Sequence, residues 1–199
     1  MKNIYLIVGP SGSGKSTIAN ILERKYGLKQ VISFTERPPR YDGETGHVFI
    51  SAEDFDKLDE QPDNLCAFTV FNGYRYGVPA KMVDECDIYL IDPAGVRYMQ
   101  EHYHGIKSVK VIGLYADADV CKQRMLERGD AKENVAARLE HDHHAFAPQN
   151  IEVVDSDRVI LVGLHECCDT VFHDNYVSVP GMDALASMIH TYIMMEEHR

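Results

Sequence analysis

The chain alternates short apolar runs with amphipathic segments along most of its length. Asn3-Ile-Tyr-Leu-Ile-Val-Gly9 is an unbroken apolar run closed by glycine, which predicts a buried strand. Ile18, Ile21 and Leu22 recur at helical spacing within Ser16–Tyr26, and Gly27 supplies the stop. A second strand is expected over Gln30–Phe34, followed by a loop from Arg37 to Gly46 dense in proline, glycine and charge. Ser51-Ala-Glu-Asp54 has the form of a capping box opening a short helix, and Gln61-Pro-Asp-Asn64 reads as a turn. Cys66–Phe71 reads as a strand leading into a hairpin turn at Asn72-Gly73. Pro79 suits the first turn of a helix running to about Cys86. Ile88–Ile91 is a buried strand ending at Asp92, and the helix after it ends near Gly105. Val109–Ala116 is the next strand. Asp117 or Asp119 can cap a helix running to Arg128, with Gly129 as its stop, and Glu133–Phe146 is a polar helix. Within Pro148–His173 only Val159–Leu164 has strand character; Asn175–Val179 is expected as the last strand and Met182–Met195 as the last helix.

Strands that alternate with helices imply an α/β fold whose mainly parallel sheet is covered on both faces. Residues 35–78 break the alternation with short strands and turns, which suggests an inserted subdomain. There is no internal repeat.

Composition narrows the function classes. The 199 residues fit one domain, and 45% hydrophobic with 26% charged residues is a globular balance. The net charge of −11 repels phosphate backbones, so it argues against nucleic-acid polymers and anionic membrane surfaces as partners. No apolar run approaches the roughly 18 residues of a membrane span, and no signal peptide precedes the first strand. The expectation is a soluble cytoplasmic protein. Its five cysteines (66, 86, 121, 167 and 168) are odd in number and form no CxxC, which reads as free thiols.

One motif carries strong chemistry. Gly9, Pro10, Ser11, Gly12, Ser13, Gly14, Lys15, Ser16 and Thr17 match the phosphate-loop pattern GxxxxGK[ST], with a strand before it and a helix after it. The glycines let backbone N–H groups converge on phosphate oxygens, and the helix N-terminus adds positive potential. Lys15 is expected to reach the outer phosphates of ATP, and the Ser16 hydroxyl to sit on Mg²⁺. Further on, Arg37-Pro-Pro-Arg40 sets two arginines on a proline-stiffened loop, suited to bidentate grip on a second phosphate.

From here the chain resembles the guanylate kinase family. The resemblance runs through Ser33…Arg37-x-Pro-Arg40, Gly43-Glu44 with Gly46, Phe71-Asn-Gly73 and Tyr76-Gly77. It continues through Ile91-Asp92 with Gly95, Arg124, Arg128-Gly129 and Arg138-Leu139. It covers most of residues 3–146. It implies a P-loop kinase with a core (1–34, 81–123 and 146–199), an acceptor-binding subdomain (35–80) and a lid (124–145). Ser33, Arg37, Arg40 and Tyr76 match the family's acceptor-phosphate ligands, and Arg124, Arg128 and Arg138 match lid arginines that assist transfer. Asp92, at the end of a strand beside the P-loop, is assigned a polar role toward acceptor or Mg²⁺-bound water, unless it only caps the next helix.

The pattern breaks where the family reads guanine. The reading glutamate falls at Ala67, the serine after Tyr-Gly falls at Val78, a phosphate-binding tyrosine falls at His47, and the acid two before Asp92 is Leu90. A site that hydrogen-bonds its ligand discriminates by roughly 10⁴–10⁵, an apolar pocket by about 10². If Ala67 and Val78 line the pocket, selection for guanine must come from elsewhere, for example Thr69 or Asn72. A second resemblance, to ribose 1,5-bisphosphate phosphokinase, follows Gly-Glu…His47…Ser51 and Asn72-Gly73…Tyr76-Gly77-Val78. The first expectation is therefore phosphorylation of a nucleoside monophosphate, GMP or dGMP. The alternative is a sugar phosphate such as ribose 1,5-bisphosphate. A non-catalytic binding module of the same fold is the third reading, disfavoured by the intact Lys15-Ser16-Thr17. His165-Glu-Cys167-Cys168 is read as ordinary helix or loop rather than a metal site, since adjacent cysteines chelate one ion poorly. His141, His143 and His144 are read as a solvated patch. The oligomeric state stays open.

Overall fold

The structure is a computed structural model that describes residues 1–39, 42–60, 65–71, 73–146, 151–155, 158–161, 170–173 and 181–199. In chain order the elements are β1 (Asn3–Val8), α1 (Lys15–Tyr26), β2 (Ser33–Thr35), β3 (His47–Phe49), α2 (Ala52–Asp59), β4 (Leu65–Phe71), β5 (Tyr74–Pro79), α3 (Ala80–Asp84) and β6 (Ile88–Leu90). They continue with α4 (Pro93–His102), β7 (Ser108–Tyr115), α5 (Ala118–Glu127), α6 (Lys132–Ala145), β8 (Ile151–Asp155), β9 (Arg158–Leu161), β10 (Thr170–His173) and α7 (Met182–Glu197).

A four-stranded parallel sheet in the order β10-β7-β1-β6 forms the core. β1 is central and all six of its residues are buried, as an apolar strand covered on both faces must be. Its alternating side chains feed two hydrophobic clusters. Tyr5 and Ile7 pack with Ile18 and Leu22 of α1 and Leu185, Ile189 and Ile193 of α7. Ile4, Leu6 and Val8 face the other way, toward Val96 and Met99 of α4. Tyr5, Asn3 and the Lys2 N–H all bond to the Glu197 carboxylate, which ties the end of α7 to the sheet.

A second, mixed sheet in the order β3-β2-β5-β4 stands beside it. Ser51 caps α2 by accepting the Asp54 N–H at 3.1 Å, as its sequence pattern implies. β4 and β5 pair antiparallel with Phe71 opposite Tyr74, and Gly73 takes φ 78° in the turn. The expected strand over Gln30–Phe34 divides. Gln30 makes one parallel bridge to Ile88 in the core sheet, while Ser33–Thr35 crosses to the second sheet and pairs with β3 and β5. An apolar run alone does not say which sheet a strand joins.

Thr170–His173 lies at one edge of the core sheet, opposite β6; the expected strand at Asn175–Val179 lies outside the described residues, as do the turn at 61–64 and His165–Cys168. β8 and β9 form an antiparallel pair, β9 covering the first part of the expected strand at 159–164, whose last three residues lie outside the described ones. No helix among the described residues is long and apolar enough to cross a membrane.

Candidate active site

The loop between β1 and α1 is shaped by close packing. A Cβ at Gly9 would stand 2.1 Å from the Leu114 carbonyl oxygen. At Gly12 it would stand 2.5 Å from that of Cys121, and Gly12 also has φ +81°. Any side chain at either place would drive the loop off β7 and α5. Lys15 folds back over the loop, its ammonium donating to the carbonyls of Gly9 at 2.6 Å and Pro10 at 2.9 Å. The residue is half-buried but its charged end is enclosed, and that desolvation pushes its pKa down to about 8. Ser13 is fully buried, and its hydroxyl has no hydrogen-bond partner among the described atoms. Ser16 and Thr17 are exposed at the start of α1, whose first turn carries no acidic residue.

These features fit an anionic phosphate chain. The first-turn N–H groups of a helix lack intrahelical acceptors, and the Lys15 ammonium lies on the loop that leads into them. The open Ser16 hydroxyl is an oxygen donor of the kind Mg²⁺ takes.

Arginines close around this loop. Arg124, on α5, reaches the Gly12 carbonyl at 3.4 Å. Arg128 forks onto Asp130 at 2.9 and 2.6 Å, and Arg138, on α6, lies 3.8 Å from the same carboxylate. Arg128 and Arg138 are both near enough to disfavour charge on Lys15. Asp130 therefore gathers two of the three expected lid arginines beside the loop. As an acid just past a helix-ending glycine, it has no distinguishing mark in the sequence.

On the second sheet, Ser33, Arg37, His47 and Tyr76 come together across β2, β3 and β5. The Ser33 hydroxyl and His47 Nδ1 share a 2.8 Å hydrogen bond, and the His47 and Tyr76 rings meet edge-on at 5.4 Å. Arg37 Nε donates to the Tyr76 hydroxyl at 3.1 Å. The outer nitrogens of Arg37 grip Glu44 at 2.8 and 3.2 Å, in a pair only 9% and 6% exposed. A buried arginine needs such a partner, and removing one member leaves the other charge stranded. Arg40 lies outside the described residues.

Asp92 caps α4, accepting the Gly95 N–H at 2.7 Å, and its second oxygen accepts the Thr69 hydroxyl of β4 at 2.9 Å. It thus serves as helix cap and as a link between the end of β6 and the second sheet. Ala67 and Val78, opposite each other on β4 and β5, are 1% and 0% exposed and belong to the core cluster with Cys66, Val83 and Met99. Among the described residues both side chains are closed into that core.

A parallel α/β sheet whose first strand delivers a glycine-rich loop to a helix N-terminus, with lysine and arginines gathered beside it, defines the P-loop α/β class. Comparison with known proteins names the branch. A family described as AAA domain matches residues 6–143. The chain is 31% identical over 145 residues to guanylate kinase of Paraburkholderia xenovorans, covering 68% of this chain and 63% of that one, so it spans less than two thirds of that relative. It is 32% identical to guanylate kinase of Pasteurella multocida, covering 69% and 71% of the two chains. It is 30% identical to ribose 1,5-bisphosphate phosphokinase PhnN of Rhizobium etli, covering 68% and 72%. The solved guanylate kinase of Anaplasma phagocytophilum superposes with a TM-score of 0.61 at 20% identity, over 99% of this chain and 87% of the other, a likeness of fold. The chain belongs to the guanylate kinase family.

Proposed function

We propose that the protein transfers the terminal phosphoryl group of Mg·ATP to a nucleoside monophosphate, with GMP or dGMP as acceptor. The observation that carries this reading is the pairing of two phosphate-competent sites on one frame. One is the loop at Gly9–Thr17 under Lys15. The other is the Ser33–Arg37–His47–Tyr76 set on the second sheet. Phosphoryl transfer asks the protein mainly for alignment and charge neutralisation. Lys15 and the loop N–H groups hold the donor phosphates, and Ser16 holds Mg²⁺, which when bound offsets negative charge on the phosphates. Arg124, Arg128 and Arg138 supply further positive charge at the moving group. Arg37, Ser33, His47 and Tyr76, together with Arg40, hold the acceptor phosphate. Residues 35–80 then act as the acceptor subdomain, 124–145 as the lid, and Thr69 with Asp92 gives the acceptor pocket its polar pair. We place the enzyme in the cytoplasm.

A second acceptor is favoured by one observation. Ala67 and Val78 are sealed in the core, so neither position offers a group to read a base. An acceptor with no base, such as ribose 1,5-bisphosphate, needs none. An ATP-coupled assay across nucleoside monophosphates and ribose 1,5-bisphosphate separates the two. GMP or dGMP is expected to give the highest kcat/KM, and turnover confined to the sugar would overturn the first reading. Tight peptide binding with no transfer to any acceptor would instead mark a non-catalytic module.

A further inference from the structure

A carboxylate already sits in the phosphate loop. Asp142 lies on α6, one turn past Arg138, with a side chain only 11% exposed. Its Oδ2 accepts the Ser11 N–H at 2.7 Å, across 131 residues of chain. The same carboxylate favours the charged form of Lys15, second only to the opposing effect of burial. An anionic oxygen that takes a loop N–H and lies near enough to favour charge on the loop lysine, without pairing to it directly, occupies a place in the cradle that a phosphate oxygen would take. The other carboxylate oxygen lies 3.4 Å from His141 Nδ1. That histidine's ring in turn meets Phe71 of β4 edge-on at 5.0 Å. Two adjacent residues of α6 thus rest on the two halves of the molecule, one on the loop and one on the second sheet.

We infer that Asp142 is an internal competitor for the donor phosphates, so that a nucleoside triphosphate must displace its carboxylate from the Ser11 N–H. The inference rests on the donor reading above. Two anions cannot share one N–H and one desolvated ammonium without repulsion, and little water reaches this position to screen them. Displacement releases the Ser11–Asp142 hydrogen bond between the loop and α6, so donor binding and α6 docking at Ser11 exclude each other. Asp142 therefore sets donor affinity without belonging to the phosphate-binding set itself.

Asp142→Asn keeps the shape and an acceptor oxygen but removes the charge; Asp142→Ala removes both. Calorimetric titration of the full chain with Mg·ATP, and separately with metal-free inorganic tripolyphosphate, reads the effect, with thermal melting to verify folding. Both variants are expected to bind both probes about tenfold more tightly than the parent chain. Folded variants that bind no more tightly would overturn the inference. So would weakened Mg·ATP binding with tripolyphosphate unaffected, which would assign Asp142 to the metal. If neither parent nor variants bind either probe, the donor reading fails and takes this inference with it.

Discussion

The proposed donor loop and the proposed acceptor sheet would solve the same problem, holding phosphate, by different means. The loop at Gly9–Lys15 is built from main chain between one strand and one helix, and its glycines are demanded by backbone packing against Leu114 and Cys121. The acceptor set is built from side chains on three strands and the loop between β2 and β3, locked by a Ser33–His47 bond and a buried Arg37–Glu44 pair. Main-chain recognition is local and leaves a contiguous signature. Side-chain recognition depends on what fills each position, and at Ala67 and Val78 the fold has used those positions for its core. The first kind of site should lose chemistry without losing structure; the second should lose structure first.

The largest expected effect tests the donor half. Lys15→Ala should lower transfer by about 10³-fold, the scale of removing a charge-stabilising donor at the moving group. The fold should not suffer. A lysine whose pKa is pushed down to about 8 by burial carries its charge at a cost to the folded state. That cost is fully present below pH 8 and is relieved as pH rises from there toward the unfolded value. At pH 7 the alanine variant should therefore melt no lower than the parent chain. A fall in melting temperature that matched the loss of activity would erase the contrast between the two halves.

The acceptor half predicts the reverse. Restoring a carboxylate by Ala67→Glu puts an unpaired charge and extra volume into a position 1% exposed among Cys66, Val78 and Val83. The cost is about 3–5 kcal/mol, mostly the stranded charge. In a domain of this size that lowers the melting temperature by roughly 6–20 °C. Guanine selectivity should not appear. A variant that melted normally and gained preference for GMP would mean that position 67 opens to the acceptor after all.

The same contrast decides what could be read from sequence. β1, the loop and α1 were legible because an apolar run, a glycine signature and a helical period follow one another without a gap. Gly27 ends α1 in the left-handed conformation expected of a stop. The second sheet was legible as an irregularity but not as a sheet, because its pairings join β2 to both β3 and β5 across long stretches of chain. That is why one strand predicted over Gln30–Phe34 proves to divide between the two sheets. Asp142, Asp130 and Glu44 gave weaker signals. Asp142 and Asp130 are ordinary acids in a chain with 31 acidic residues, Glu44 shows only as part of the Gly43-Glu44 pattern, and only the fold reveals which cation or N–H each meets. Ala67 and Val78 were legible as departures from a family pattern, but their burial was not.

The smallest expected effect is a proton, and it belongs to the donor half. With Lys15 near 8 in the free protein, a fraction of the molecules at pH 8.5 hold it uncharged. Phosphate in the loop favours the ammonium and raises its pKa, so the bound state holds more protons than the free state. Mg·ATP affinity should then fall as pH rises through about 8, by no more than about tenfold per pH unit, and level off above the bound-state value. Calorimetry at pH 8.5 in two buffers of different ionisation enthalpy should give different apparent enthalpies, corresponding to uptake of about half a proton or more. Lys15→Arg should abolish the difference, because arginine stays charged throughout. Equal enthalpies in both buffers for the parent chain would show that Lys15 is already fully charged before phosphate arrives. The loop would then be a fixed cationic cradle rather than one whose charge is completed by its ligand.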